Sequence, residues 1–245
     1  MSNEAVPLAP ERSFFQNLID VIVSPREAFT AIVGKPGFWI ALALNLVLAG
    51  GFTAVWVSKV DPAEFGKARM VESGQWDKMT AEQRAGALSM QTRNVFAIFS
   101  GAVILVGIPI ALLVIAGFML FVFRFFYAGE VTFKPALAIV TYASTAVALV
   151  RTPLLFLVYI LKGDWNLDPQ TALQANLTLL FDRDSVSKAL WAFAGSIDLF
   201  ALWTIFLLAV GFGVAIKKTT GSALWGVAVP WAVIVLIKVA WALVF

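Results

Sequence analysis

"PALAIVTYASTAVALVRTPLLFLVYIL", residues 135–161, holds one formally charged side chain, Arg151. As a helix this run is about 40 Å long at 1.5 Å per residue. That exceeds the ~30 Å hydrocarbon core of a bilayer. It shows no apolar/polar alternation, so a barrel strand is excluded. A helix satisfies its own backbone in lipid, and this run is read as a transmembrane helix.

Four more segments read the same way: 38–58, 95–123, 191–216 and 223–245. The chain has 245 residues, 60% of them hydrophobic and 13% charged. A soluble domain carries about 25% charged residues, so too few polar groups exist here to cover a water-facing globule. The expected fold is all-α: a bundle of five transmembrane helices, preceded by an N-terminal interfacial amphipathic segment. Residues 1–36 would form a cytoplasmic tail with interfacial helices, and 37–245 the transmembrane domain.

The interfacial segment is "RSFFQNLIDVIVSPREAFTAIVGKPG", residues 12–37. Phe14, Phe15, Leu18 and Ile22 form an apolar stripe, as in helices that lie in the interface plane. "SPRE" places Ser24 as N-cap, Pro25 at the first helical position and Glu27 three residues after the cap. That is the pattern of a capping box. Two short helices with a break at Ser24 are expected.

Between the first two spans, residues 59–93 read as solvated helix. Between the third and fourth, "DP" at 168–169 resembles a helix start, and Asp184 or Ser185 another. Leu173, Leu177 and Leu180 would share a helical face on the membrane surface. Asp164, Asp168, Asp182 and Asp184 lack the spacing of a calcium loop. "NLT" at Asn176 is a glycosylation triplet only in a secretory compartment.

Neither Cys nor His occurs. There is no disulfide framework, no thiolate nucleophile and no imidazole base or zinc ligand. No phosphate loop, serine elbow or dinucleotide fingerprint appears. Neither cofactor nor metal is expected, and a net charge of +3 gives no reason to expect nucleic acid as a partner. The lipid bilayer is the expected partner, with a second copy or another membrane protein beside it.

Three charges fall inside the expected spans: Arg151, Asp198 and Lys238. Such charges are rare and are paired or functional. Arg151 lies about 15 Å from the end of its span, and Asp198 and Lys238 roughly 10 Å from theirs. All three lie toward the same membrane face. On a continuous helix through 191–216, Asp198 shares its side with Ala194, Gly195, Leu202, Ala209 and Gly213. Phe200, Trp203, Leu207 and Val214 lie opposite, toward lipid. Small residues favour helix contact, so Asp198 is expected to face inward and pair with Arg151, or secondarily with Lys238. The pair could fix helix register or serve a relay or polar substrate site. Pro109, Pro153 and Pro230 are expected to break their spans, since each removes a backbone hydrogen bond. Pro153 would free the carbonyl of Leu149 for Arg151. Asn45 reads as interhelical glue.

"DVIVSPREAFTAI" (20–32), "VTYASTAVALVRTPL" (140–154), "IDLFALW" (197–203) and "GFGVAIKKTTGSALWGVAVPW" (211–231) occur in that order. Together they resemble the Ypt-interacting-protein (YIP) domain family, in its prokaryotic branch. The resemblance covers the chain from about Phe14 onward. It implies a five-helix membrane bundle with a cytoplasmic N-terminus. Eukaryotic relatives are linked to vesicle trafficking, Rab-type GTPases and membrane shaping. Their "DLYGP"-like motif is not evident here, which argues against a GTPase partner.

The expected function is therefore non-enzymatic: a membrane-organising or protein-interaction role. The alternative is a small transporter or channel with a polar site at Asp198 and Arg151. The start of the chain lacks a basic, apolar leader. Lys217 and Lys218 sit in the short link between the last two spans. Both favour an N-terminus inside, in a bacterial inner membrane.

Overall fold

A computed structural model describes residues 13–244, the side chain of Asp184 excepted. Residues 1–12 of the expected tail, and Phe245 of the last span, lie outside them. The described residues form eleven α-helices and no named strand. Their order is α1 (Phe14–Val23), α2 (Pro25–Gly34), α3 (Trp39–Lys59), α4 (Pro62–Glu72), α5 (Ala81–Met90), α6 (Arg93–Ala102), α7 (Ile108–Phe125), α8 (Phe133–Lys162), α9 (Lys188–Ser196), α10 (Leu199–Ala215) and α11 (Thr220–Val244).

Four helices are long and apolar enough to cross a membrane: α3, α8, α11 and the continuous rod Arg93–Phe125. That rod joins α6 to α7 through a π-helical turn, Val103–Gly107. The turn sits directly before Pro109, where the regular ladder loses a donor. The expected fourth span, 191–216, is not continuous. Ile197 and Asp198 leave the helical conformation, and α10 is a 17-residue apolar helix.

The core is centred on the first half of α8, where Ala136 to Ala143 are all buried. α1, α2, α3, α7 and α10 pack around α8. α10 is enclosed on every side from Leu207 to Gly213. Close approach depends on small residues. A Cβ at Gly226 of α11 would stand 2.8 Å from the ring of Phe123 in α7. Phe123 in turn stacks on Phe212 of α10, centroids 4.6 Å apart and 9° from parallel.

α1 and α2 meet at Ser24, as expected. They do more than lie on the surface: Leu18, Val21, Ala28, Phe29 and Ile32 are buried in the same core as the long helices. Ser24 occupies the N-cap position of α2 and Pro25 its first turn, but the Ser24 side chain caps nothing. At φ −141° and ψ 59° it leaves the extended geometry that aims a cap hydroxyl at the N3 amide. The Ser24–Glu27 capping box is thus corrected. True boxes occur at Ser13/Gln16 and Thr80/Gln83.

Residues 59–93 are helical, as read from the sequence: α4, a 3-10 turn and α5. The 163–187 connection is less so. Asp168 caps a single turn, its Oδ1 accepting from the Gln170 N–H at 2.9 Å. Leu177–Leu180 form a 3-10 turn, and Leu173 is outside it. The shared helical face of Leu173, Leu177 and Leu180 does not exist. α9 starts at Ser187, whose hydroxyl accepts from the Leu190 N–H, and not at Ser185. Pro153 and Pro230 interrupt neither α8 nor α11. Each removes one bond from a ladder that neighbouring turns keep helical.

Candidate functional site

The expected site residues do not bond to one another. Asp198 sits in extended backbone at φ −109°, ψ 136°. Its Oδ1 accepts from the N–H groups of Phe200 at 2.9 Å and Ala201 at 3.0 Å. These are amides that a helix start leaves without partners. The positive end of the helix dipole stabilises the same carboxylate. Asp198 is thus held by α10 itself.

The break before it is also fixed from outside. The Leu199 N–H donates to Ala175 O at 2.9 Å and the Leu177 N–H to Ile197 O at 3.3 Å. A single antiparallel bridge between Asn176 and Asp198 thereby spans the gap between α9 and α10. Asn176 Oδ1 accepts from the Thr178 N–H at 3.0 Å and from the Thr178 hydroxyl, which closes the local turn. Asn176 is thus a structural turn residue.

Arg151 is half-buried on α8 and makes no hydrogen bond or ion pair with any described residue. The Asp198–Arg151 pair is therefore a correction. Two backbone amides already satisfy the Asp198 carboxylate. Lys238 does not pair with Asp198 either. Its Nζ lies 3.4 Å from Ser196 Oγ, which links α11 to the end of α9. Ser196 Oγ itself donates to Ala192 O. Pro153 is exposed and Pro230 half-buried. The carbonyl of Leu149 receives no bond from Arg151.

The facing assignment for α10 also changes. Phe200 and Leu207, expected toward lipid, are buried. Leu202, expected inward, is exposed together with Leu199 and Phe206. Ala194 and Gly195 belong to α9, so the face they would share with Asp198 on one continuous helix does not extend into α10. Ala209 and Gly213 do face inward.

Two polar arrangements were only partly legible. Asn45 of α3 is buried, and its Nδ2 donates to Thr145 Oγ1 of α8 at 3.4 Å. The Thr145 hydroxyl lies 3.0 Å from Ala41 O and 2.8 Å from Thr141 O. This is the interhelical bonding that small polar residues supply in apolar surroundings. The second arrangement is a clasp at the far end of α3 and α8, and sequence reasoning missed it. Trp56 Nε1 donates to Trp165 O at 2.9 Å, and Tyr159 Oη to Leu167 O at 2.7 Å. Asn166 Oδ1 accepts from the Asp61 N–H and its Nδ2 donates to Glu64 Oε2. Arg69 of α4 pairs with Asp168, and Lys59 lies over the Trp165 ring at 5.1 Å. Its only signal in the sequence was the density of aromatic and Asx residues at 164–168.

No group of three or more metal-binding side chains occurs among the described residues. The Yip1 domain family matches residues 19–242. The chain belongs to that family. The matched region opens within α1 and closes near the end of α11, so the Yip1 domain takes in the short N-terminal helices and the long ones alike. With its four long apolar helices, this Yip1 domain makes the chain an integral membrane protein. No curated protein and no solved structure matches it.

Proposed function

We propose that the protein is a non-enzymatic organiser of its membrane, acting through helix contacts and by adding bulk to one leaflet. The observation that carries this is the double-sided α1. Leu18 and Val21 on one side join the bundle core, while Phe15, Ile19 and Val23 on another are exposed. Those three lie at i, i+4 and i+8, one stripe of a helix. A helix anchored by one apolar face and offering another to acyl chains widens the protein in a single leaflet.

In this reading α10 crosses the bilayer as a fifth, short span. The protein belongs to the prokaryotic branch and sits in a bacterial inner membrane with its N-terminus cytoplasmic. Support comes from Arg124, Lys134, Lys217 and Lys218, which all flank span ends on the N-terminal side. A second copy or another membrane protein would be the working partner.

The test is sorting between flat and curved bilayer. Labelled protein is reconstituted in giant vesicles from which thin tethers are pulled. The parent should be enriched on the tether. A Phe15→Ser/Ile19→Ser/Val23→Ser variant of equal thermal stability should distribute evenly. Equal distribution of the parent would sink the proposal.

A further inference from the structure

An apolar cleft opens between the start of α3, the start of α7 and the start of α8. Phe38, Trp39 and Leu42 line it from α3's end, Pro109, Leu112 and Leu113 from α7, and Leu137 and Thr141 from α8. Its volume is about 160 Å³, and almost none of its wall is polar. One polar group stands in that wall without a partner: Thr141 Oγ1 is buried and makes no hydrogen bond. A threonine in a helix ordinarily donates to the carbonyl four residues back. A buried hydroxyl without an acceptor costs about 1–3 kcal/mol.

Two bases stand on the helices that form this cleft, toward the membrane face. Lys134, Leu137 and Thr141 lie at i, i+3 and i+7, on one face of α8. Lys134 is thus about 10 Å from Thr141 along the axis, toward the N-terminal membrane face. Arg124 is held at the foot of the same helix, its Nε donating to Val131 O at 3.0 Å. Lys134 makes no ion pair with a described residue, and both bases are exposed. Glu130 is the one acid in the connecting link.

We propose that the cleft binds one anionic glycerophospholipid. One acyl chain fills the space between Trp39, Leu113 and Leu137, an ester carbonyl accepts from the Thr141 hydroxyl, and the phosphate meets Lys134 and Arg124. An aromatic at the rim, an apolar slot, and two bases toward the membrane face, Lys134 about two turns from Thr141 and Arg124 about three turns from Leu113, suit an acyl chain held below an anionic head. The inference does not depend on the reading of α1, which lies on other residues.

The experiment is native mass spectrometry of the detergent-purified chain with equimolar phosphatidylglycerol and phosphatidylcholine. The parent should retain one phosphatidylglycerol, favoured over phosphatidylcholine on the order of tenfold, as two surface bases allow. Lys134→Gln with Arg124→Gln should abolish the preference while some adduct of either lipid remains. Leu113→Trp, which fills the slot from its exposed side, should remove the adduct. Thr141→Val, nearly isosteric, should weaken retention several-fold, and it serves if the tryptophan variant does not fold. Equal retention of both lipids by the parent would overturn the proposal, because it describes ordinary boundary lipid. So would an adduct that neither Leu113→Trp nor Thr141→Val reduces, or a cleft protected only in a dimer.

Discussion

The ring of Phe29 lies against Gly211. A Cβ at position 211 would stand 3.2 Å from Phe29 Cδ1 and 2.5 Å from Ile139 Cγ2. Three helices, α2, α8 and α10, therefore meet where one residue has no side chain. Ile139 is fully buried and branched at Cβ, so it has little freedom to turn away. Gly211→Ala is expected to destabilise the protein by about 1–3 kcal/mol through overpacking. The fraction surviving a heating series on size-exclusion chromatography checks this. Gly221→Ala, where a Cβ meets nothing within 4 Å, is the control and should be neutral or slightly stabilising.

Asp198 is expected to behave as a helix cap. Asp198→Asn keeps an acceptor for the Phe200 and Ala201 amides and should cost little. Asp198→Ala should cost about 1 kcal/mol. Arg151→Met combined with Asp198→Asn should give additive effects within roughly 0.5 kcal/mol, since the two side chains do not meet. A coupling well beyond that in the double-mutant cycle would restore the ion pair.

The contrast between these two sites explains what could be read in advance. Length and apolarity decide whether a helix can span lipid, and both are properties of composition. The long helices at 38–58, 95–123, 135–161 and 223–245 were therefore legible to within about three residues at their ends. The 191–216 segment was not, because its break depends on bonds to residues 175–177, outside the segment. Ala175 and Leu177 bond across the gap, and Asp198 only completes what they start. Apolar composition alone also hid the site chemistry. A carboxylate in an apolar run invites pairing with a base, yet two backbone amides from its own chain satisfy it first. Capping is local, and it wins over a partner on another helix. The Trp165–Asn166 clasp was illegible for the opposite reason: apart from the Tyr159–Leu167 bond, its bonds join residues about a hundred positions apart.

That clasp should control the mobility of the 163–176 connection. Trp165→Ala removes the stack on Tyr159, whose ring centroid lies 5.1 Å away, and the site over which Lys59 rests. Amides of 164–172 are expected to exchange hydrogen faster by tenfold or more, with α8's first half unchanged. Uniform acceleration across α8 would show that the clasp holds the whole helix and not the connection.

Two helix ends adopt left-handed backbone without glycine. Ala128 has φ 47° and Lys217 φ 56°. Each is followed by a residue that bonds back to the preceding helix, Gly129 to Phe123 O and Lys218 to Gly213 O. A Cβ in this conformation costs roughly 1 kcal/mol. Ala128→Gly should raise the thermal midpoint by a few degrees, and an unchanged or lowered midpoint would show that the flanking contacts remove the strain.

α10 has seventeen residues and is about 25 Å long, and in the reading of it as a short fifth span its exposed stripe of Leu199, Leu202 and Phe206, on its first half, is what lipid would meet. The hydrocarbon core of a typical bilayer is about 30 Å. On that reading the two leaflets would approach each other along this edge, at a cost of a fraction of a kcal/mol per ångström. A carboxylate that caps a helix early thereby acts as a thickness gauge. The chain is least strained where the bilayer is already thin, and membrane composition alone can decide where it gathers.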